Sequence, residues 1–174
     1  IGGMERVVKE IVEGTSNLGA EVEVVCPSSN LRDRVEIIGG KKIYFHRASG
    51  QIVGMPISAS MLFRMHELIK VADIVHYHFP YPLLEVVHLL TRVRRPSVVT
   101  YHSDIVRQKT LLKIYKPFMY KFLESMEKIV VTSPNYLATS ETLSRYHAKS
   151  RVIPIGLDQF LYPVASDERI RYWK

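Results

Sequence analysis

The chain has 174 residues, of which 47% are hydrophobic and 24% charged, and it carries a formal net charge of +7. These values are typical of one soluble globular domain of ordinary size. No apolar run approaches the roughly 20 residues of a membrane span, and no signal-peptide pattern is present. The lone cysteine, Cys26, excludes an internal disulfide and favours a reducing cytosol. The positive charge favours anionic partners without choosing among phosphates, acidic headgroups and nucleic acid.

The first half of the chain mixes helical and strand patterns. Apolar residues at helical spacing, ended by Gly19, predict an opening helix. The dipeptide Gly39-Gly40 between two β-branched runs predicts a tight hairpin. In order, we predict a helix over 4–18, a strand over 21–26, strands over 35–38 and 42–45, a loop over 46–56 and a helix over 56–71.

The second half alternates strands and helices regularly. We predict strands over 73–78, 96–101, 128–132 and 151–155, and helices over 83–91, 110–126 and 134–143. Pro117 predicts a kink, and Ser133-Pro134 is typical of a helix start. This alternation predicts an α/β fold with a Rossmann-like, doubly wound, mostly parallel sheet.

Polar side chains follow the apolar strand predicted at 96–101. His102, Ser103 and Asp104 come at its carboxyl end, where open α/β sheets bind their ligands. A histidine can donate to a sugar hydroxyl or a phosphate, or move a proton near neutral pH. Asp104 can accept hydrogen bonds from hydroxyls. The alternative is that Ser103 and Asp104 only cap the next segment.

His76 and His78 lie two residues apart on a predicted strand and so share one face. With His102 and Asp104 they could in principle supply metal ligands. No second carboxylate or cysteine completes such a set, so we predict no metal site. Structural hydrogen bonds or substrate contacts are the favoured interpretation.

The dipeptide Gly2-Gly3 directly precedes the first predicted helix. Glycines let a ligand approach the backbone closely, and the free N–H groups of a first helical turn favour an anion. The alternative is a tight turn without a ligand. The three-glycine dinucleotide fingerprint is absent.

The helix predicted over 110–126 and the residues before it are basic and aromatic. The cations are Arg107, Lys109, Lys113, Lys116 and Lys121, and the aromatic residues are Tyr115, Phe118, Tyr120 and Phe122. This pattern suits contact with an anionic membrane or a lipid-linked phosphate. The alternative is a solvated face with aromatic residues in the core.

Five motifs occur in an order shared with one known family. They are Gly2-Gly3-Met4-Glu5, Val75-His76-Tyr77-His78-Phe79-Pro80, Val99-Thr100-Tyr101-His102-Ser103-Asp104, Val131-Thr132-Ser133 and Val152-Ile153-Pro154-Ile155-Gly156-Leu157-Asp158. Together they resemble the N-terminal, acceptor-side half of a GT-B glycosyltransferase of family 4, in its mannosyltransferase-like group. Members of this group are retaining enzymes, and many of them assemble polysaccharides.

The resemblance implies a catalytic cleft between two Rossmann-like domains. It implies that His102 contacts the transferred sugar, that Gly2 and Gly3 lie by the donor diphosphate, and that Ser103 and Asp104 line the acceptor side. The remaining predicted substrate contacts are Met4, His78, Arg107 and Lys109. The expected substrates are a GDP- or UDP-linked sugar and a glycan or lipid-linked acceptor. The nucleotide sugar is a substrate rather than a cofactor, and no metal is expected.

The resemblance also implies an incomplete site. Residues 1–158 are expected to form the N-terminal domain without its first strand, and residues 159–174 a linker. The paired-glutamate motif of the family's second domain is missing, so the chain alone is expected to be inactive. The expected location is the cytoplasm, with a peripheral contact at the inner face of the membrane left open.

Two other functions remain open from the sequence. One is an NAD(P)-type dinucleotide-binding domain, which the missing fingerprint disfavours and which titration with nicotinamide cofactors tests. The other is a non-catalytic membrane-docking or scaffolding subunit, which flotation with anionic vesicles tests. No nucleic-acid partner is expected, because no reading motif organises the basic residues.

Overall fold

In a computed structural model of the chain, the structure describes residues 3–30, 32–52, 55–105 and 109–156. The helices are α1 (Gly3–Asn17), α2 (Ala59–Val71), α3 (Pro82–Thr91), α4 (Lys109–Ser125), α5 (Pro134–Thr139) and α6 (Glu141–Ser144), with a short 3-10 helix at His147–Lys149. The strands are β1 (Glu23–Ser28), β2 (Arg34–Ile38), β3 (Lys41–Arg47), β4 (Gly50–Ile52), β5 (Met55–Ile57), β6 (Val75–Phe79), β7 (Ser97–Tyr101), β8 (Lys128–Val131) and β9 (Ser150–Val152).

The four strands of the second half form one parallel sheet in the order β6-β7-β8-β9. Each pair of neighbouring strands is joined through helical segments, as parallel pairing requires. A second sheet has the order β1-β3-β2, in which β1 runs parallel and β2 antiparallel to β3. The predicted α/β fold with a mostly parallel sheet is therefore confirmed.

Glycines end two elements where the sequence predicted them. Gly39 and Gly40 have φ values of 57° and 77°, and they join the paired ends of β2 and β3 at Ile38 and Lys41. Two successive positive φ values are what a two-residue hairpin turn requires. Gly19 follows α1 with a φ of 91°. Glycine reaches these values without the clash that a Cβ would cause.

The loop predicted over 46–56 is wrong in its details. β3 continues to Arg47, and β4 lies inside that range and pairs antiparallel with β5, which runs to Ile57. The helix predicted from residue 56 begins at Ala59, because the buried Ser58 is its N-cap and accepts a hydrogen bond from the Met61 backbone N–H at 3.3 Å.

The single helix predicted over 134–143 is also wrong. Ser140 has extended backbone dihedrals of −75° and 118°, which separate α5 from α6. Its hydroxyl accepts a hydrogen bond from the Leu143 backbone N–H at 3.3 Å, so it caps α6. The N-cap predicted at Ser133 is confirmed by its hydrogen bond from the Tyr136 backbone N–H.

The hydrophobic core lies between the parallel sheet and its helices. Val99, Thr100 and Tyr101 of β7 are all buried although successive side chains point to opposite faces, as expected of a strand covered on both faces. The buried core residues are Met65, Tyr77, Phe79, Val99, Tyr101, Met119, Phe122, Leu123, Met126, Ile129, Val131 and Leu143. α2 contributes Met65 to this core and also packs on β1 and β3, so it joins the two sheets.

A carboxyl group is buried in α3. Glu85 is 2% exposed, and its Oε1 accepts a hydrogen bond from the Tyr81 backbone N–H at 2.8 Å. Its Oε2 is buried and has no hydrogen-bond partner in the described part of the chain. Burial raises the pKa of Glu85 to about 8, against the opposing effect of the bond from Tyr81. The folded protein therefore keeps this carboxyl protonated at neutral pH.

The buried carboxyl predicts how stability depends on pH. Between the model-peptide pKa of 4.5 and about 8, the unfolded chain releases this proton and the folded chain keeps it. The free energy of unfolding therefore falls with rising pH by about 1.4 kcal/mol per unit from this group. We expect Glu85→Gln to become more stable relative to the wild type by that amount per unit, measured as urea unfolding from pH 5 to pH 8.

The control for this measurement is Glu124→Gln on α4, where the side chain is exposed. That variant also removes one carboxyl group, so it shows how much of any change comes from the loss of an exposed charge. Other titrating groups are shared by the wild type and Glu85→Gln, so they cancel in the difference. A constant difference for Glu85→Gln would show that the buried carboxyl is ionised in the folded protein.

No helix within the described ranges is long and apolar enough to cross a membrane. Pro117 lies inside α4, which continues past it to Ser125. The linker predicted over 159–174 and the end of the predicted domain at 158 lie outside the described residues.

Candidate active site

The carboxyl ends of β6 and β7 bring the predicted histidines together. The register places His78 beside Thr100 and Phe79 beside Tyr101. The His102 backbone N–H then donates to the Phe79 carbonyl at 3.0 Å, which extends the pairing by one residue. The side chains of His78 and His102 consequently leave the sheet at the same edge, where parallel sheets bind ligands.

The two histidines form a hydrogen-bonded pair. His78 Nδ1 and His102 Nε2 are 2.9 Å apart, and the two rings meet edge to edge nearly in one plane, at 19° to each other with centroids 5.2 Å apart. Burial, reinforced by the neighbouring histidines, lowers the pKa of His78 to about 3. Burial also lowers the pKa of His102. Both rings are therefore neutral at pH 7, and each carries one N–H and one lone pair.

Asp104 sits at the centre of a hydroxyl cluster. Its Oδ1 accepts hydrogen bonds from the Tyr101 and Ser140 hydroxyls, each at 2.9 Å. Its Oδ2 accepts one from the Tyr136 hydroxyl at 3.0 Å. Through these hydrogen bonds the carboxylate connects the segment that follows β7 to α5 and to the N-cap residue of α6. Asp104 therefore has a structural role. Its contact with the acceptor substrate stays a prediction.

Among the described residues, the other predicted site residues make no hydrogen bond or ring contact with the histidine pair. Ser103 is exposed, and its hydroxyl makes no hydrogen bond within the described part of the chain. Gly3 and Met4 form the start of α1, where a Cβ on Gly3 would meet no atom within 4 Å. No hydrogen bond or ring contact among the described residues joins either of them to His102. Gly2, Arg107 and the Lys109 side chain lie outside the described residues.

α4 exposes part of the predicted basic and aromatic surface. Lys113 and Lys121 are exposed beside Ile114 and Phe118, whose exposed fractions are 68% and 45%. Phe122 is fully buried, so it belongs to the core, as the alternative interpretation proposed. The membrane contact stays a prediction that vesicle flotation tests.

The described residues contain no group of three or more His, Cys, Asp or Glu side chains that could hold a metal ion. The three histidines at this edge are engaged with other partners. His76 Nε2 lies 2.8 Å from the Thr100 hydroxyl, and His78 bonds His102. That the chemistry needs no metal stays a prediction.

Sequence reasoning missed the partners that hold these residues. Tyr136 and Ser140 contact Asp104 across 32 and 36 residues of sequence, and no local pattern indicates such contacts. Thr100 was assigned to the buried strand, and its bond to His76 depends on the register of β6 and β7. A polar residue inside an apolar strand was the available signal for Thr100.

Comparison with known proteins identifies a family and two relatives. The model of Glycosyltransferase Family 4 matches residues 1–159. D-rhamnosyltransferase WbpZ of Pseudomonas aeruginosa is 41% identical over 174 residues, which are 100% of this chain and 46% of that protein. O-antigen chain mannosyltransferase C of Escherichia coli is 36% identical over 174 residues, 99% of this chain and 46% of that protein. The chain spans about half the length of these relatives.

Solved structures share the fold at lower identity. Sucrose-phosphate synthase from Thermosynechococcus elongatus superposes with a TM-score of 0.67 at 20% identity, over 99% of this chain and 47% of that chain. A second structure of that synthase gives a TM-score of 0.52 at 18% identity, over 86% of this chain and 83% of that chain.

Proposed function

The chain belongs to glycosyltransferase family 4, and from that premise we propose the activity of the complete protein. It transfers a mannose-configured hexose from a GDP- or UDP-linked donor to a glycan or lipid-linked acceptor, and it retains the anomeric configuration. The names of the two relatives support this sugar class, since one transfers D-rhamnose and the other mannose. D-Rhamnose is 6-deoxymannose, so the two sugars share every ring hydroxyl.

The observation that carries the proposal is the placement of His102. Its half-buried ring sits at the carboxyl edge of the parallel sheet, and its Nε2 is held by His78. Its Nδ1 makes no hydrogen bond within the described part of the chain. A neutral imidazole held by one nitrogen can present the other to a sugar hydroxyl or a phosphate oxygen. His102 then orients and polarises the donor rather than attacking it.

The remaining predicted contacts are assigned to the two substrates. Gly2, Gly3 and Met4 lie by the donor diphosphate, because α1 begins at Gly3 and a helix N-terminus stabilises negative charge. Ser103 and Asp104 line the acceptor side, and Arg107 and Lys109 complete the set of substrate contacts, while His78 acts through its hydrogen bond to His102. Stabilising charge on the departing diphosphate is the main catalytic requirement, and fixed N–H dipoles and cations can supply it.

The chain alone is proposed to be inactive. Its curated relatives are about twice as long, so the chain matches about half of each of them. Transfer between two substrates needs groups on both sides of the bond that breaks. Turnover by the 174-residue chain in isolation would overturn this part of the proposal.

The test uses the full-length protein with GDP-mannose, GDP-D-rhamnose and UDP-glucose as donors and a mannose-terminated glycan as acceptor. We expect transfer of a mannose-configured sugar, with an α-linked donor giving an α-linked product by NMR. Transfer is expected to persist in EDTA. An inverted product would contradict retention, and titration by a nicotinamide cofactor without any transfer would favour the dinucleotide-binding alternative.

A further inference from the structure

Three histidine rings form a cluster at the carboxyl ends of β6 and β7. The ring of His78 stacks on that of His76, with centroids 4.8 Å apart at an interplanar angle of 21°. It meets the ring of His102 edge to edge, with centroids 5.2 Å apart at 19°. His76 is anchored by the bond between its Nε2 and the hydroxyl of Thr100, which is buried in the central strand β7. Stacking on His76 therefore holds the His78 ring in the plane of its hydrogen bond to His102.

The hydrogen bond between His78 and His102 couples the protons of the two rings. Each neutral imidazole has one donor and one acceptor nitrogen, so only two arrangements are possible. Either His78 Nδ1 donates to His102 Nε2, or His102 Nε2 donates to His78 Nδ1. In the first arrangement His102 carries its proton on Nδ1. In the second its Nδ1 is a lone pair.

We propose that His78 is a positioning residue that donates from Nδ1 to His102 Nε2, so that His102 presents an Nδ1–H donor toward the substrates. This direction rests on the proposed function, because the oxygens of a nucleoside diphosphate sugar carry lone pairs and negative charge. A lone pair at His102 Nδ1 would repel a phosphate oxygen, whereas an N–H there attracts it. The hydrogen bond at one ring nitrogen sets which tautomer the other presents.

The two ring contacts of His78 suggest which substitutions separate its stacking from its hydrogen bond. Phenylalanine at position 78 keeps an aromatic ring on His76 and removes the donor to His102. Asparagine loses the ring and places its side-chain amide N–H near the former Nδ1 position. The pair His78→Phe and His78→Asn thus tests the hydrogen bond to His102 against the stacking on His76. His76→Gln, which can still bond Thr100, is the control for loss of that stacking.

The experiment is 15N NMR of the full-length protein labelled at histidine, at pH 7.5, with the His102 signals assigned by their loss in His102→Gln. We expect the Nδ1–H tautomer at His102 in the wild type, in His78→Asn and in His76→Gln. In His78→Phe we expect the Nε2–H tautomer, which an unconstrained histidine prefers in water. The kcat for transfer is expected to fall about 10- to 100-fold in His78→Phe with a donor KM within about threefold, the loss typical for removal of a group that orients a functional histidine.

These outcomes distinguish failure of the positioning role of His78 from failure of the proposed sugar transfer. An Nε2–H tautomer at His102 in the wild type would overturn the inference even if transfer is observed. The expected tautomers without transfer of any sugar would leave the pair intact and remove the proposed function. A loss of kcat in His78→Asn with none in His78→Phe would assign the effect to the stacked ring and contradict the role of the hydrogen bond.

Discussion

Replacing His102 with alanine in the full-length protein is expected to lower kcat for sugar transfer by about 100- to 1,000-fold, the range found when one donor to a developing charge is removed. Donor hydrolysis is expected to fall in parallel, because both reactions break the same bond. The dissociation constant for the donor is expected to change by less than about tenfold, since His102 acts mainly in the transition state. Initial rates and calorimetric titration of the donor measure these quantities.

The matched control is His147→Ala, which removes an exposed histidine from the 3-10 helix. It is expected to leave kcat and donor affinity unchanged. Loss of the bond from His78 in His102→Ala costs about 1 kcal/mol of stability, so thermal unfolding must show that the variant is folded at the assay temperature. Unchanged transfer and hydrolysis in folded His102→Ala would remove His102 from the chemistry.

The alternation of strands and helices could be predicted because apolar periodicity marks each element separately. Val99 and Ile129 lie in short apolar runs, and both are fully buried. The β4–β5 hairpin was missed because each strand has only three residues, too few for a period to show. The break at Ser140 was missed because serine suits both a helix interior and an N-cap, and its neighbours decide between them.

The candidate site was predictable in its position and less so in its contacts. His78 ends one predicted strand and His102 directly follows the next, so the parallel sheet brings both to one edge. The hydrogen bond between His78 and His102 depends on the register of β6 and β7. The sequence alone does not show that register, so it could not show that His78 contacts His102 instead of only a ligand. Tyr101 shows the same limit. It was predicted as part of the apolar strand and is fully buried, but no pattern in the sequence indicates that its hydroxyl donates to Asp104.

Replacing Asp104 with alanine is expected to lower the free energy of unfolding by about 3 kcal/mol, as expected when several hydrogen bonds to a charged group are lost together. The carboxylate is the acceptor for three hydroxyls, and two of their residues, Tyr101 and Ser140, are buried. Without it, these hydroxyls lose their acceptor where water has little access. Chemical denaturation of the full-length protein measures the loss. The adjacent Ser103→Ala is the control, and it is expected to change stability by less than about 0.5 kcal/mol, because its side chain is exposed.

A double-mutant cycle with Tyr136→Phe separates the structural role of Asp104 from a substrate contact. Tyr136→Phe removes one of the three donors and is expected to cost about 1 kcal/mol. If the hydroxyl acts only through Asp104, its removal costs little once Asp104 is alanine, so the coupling energy equals about 1 kcal/mol.

Asp104→Asn is expected to be less destabilising than Asp104→Ala, because its amide oxygen can still accept from Tyr101 and Ser140. If Asp104→Ala has the same free energy of unfolding as Ser103→Ala and raises only the acceptor KM, the carboxylate acts by binding the acceptor. The hydroxyl cluster then contributes no stability. The expected result instead gives Asp104 a structural role besides its proposed place on the acceptor side, because its hydrogen bonds fix the segment that carries His102.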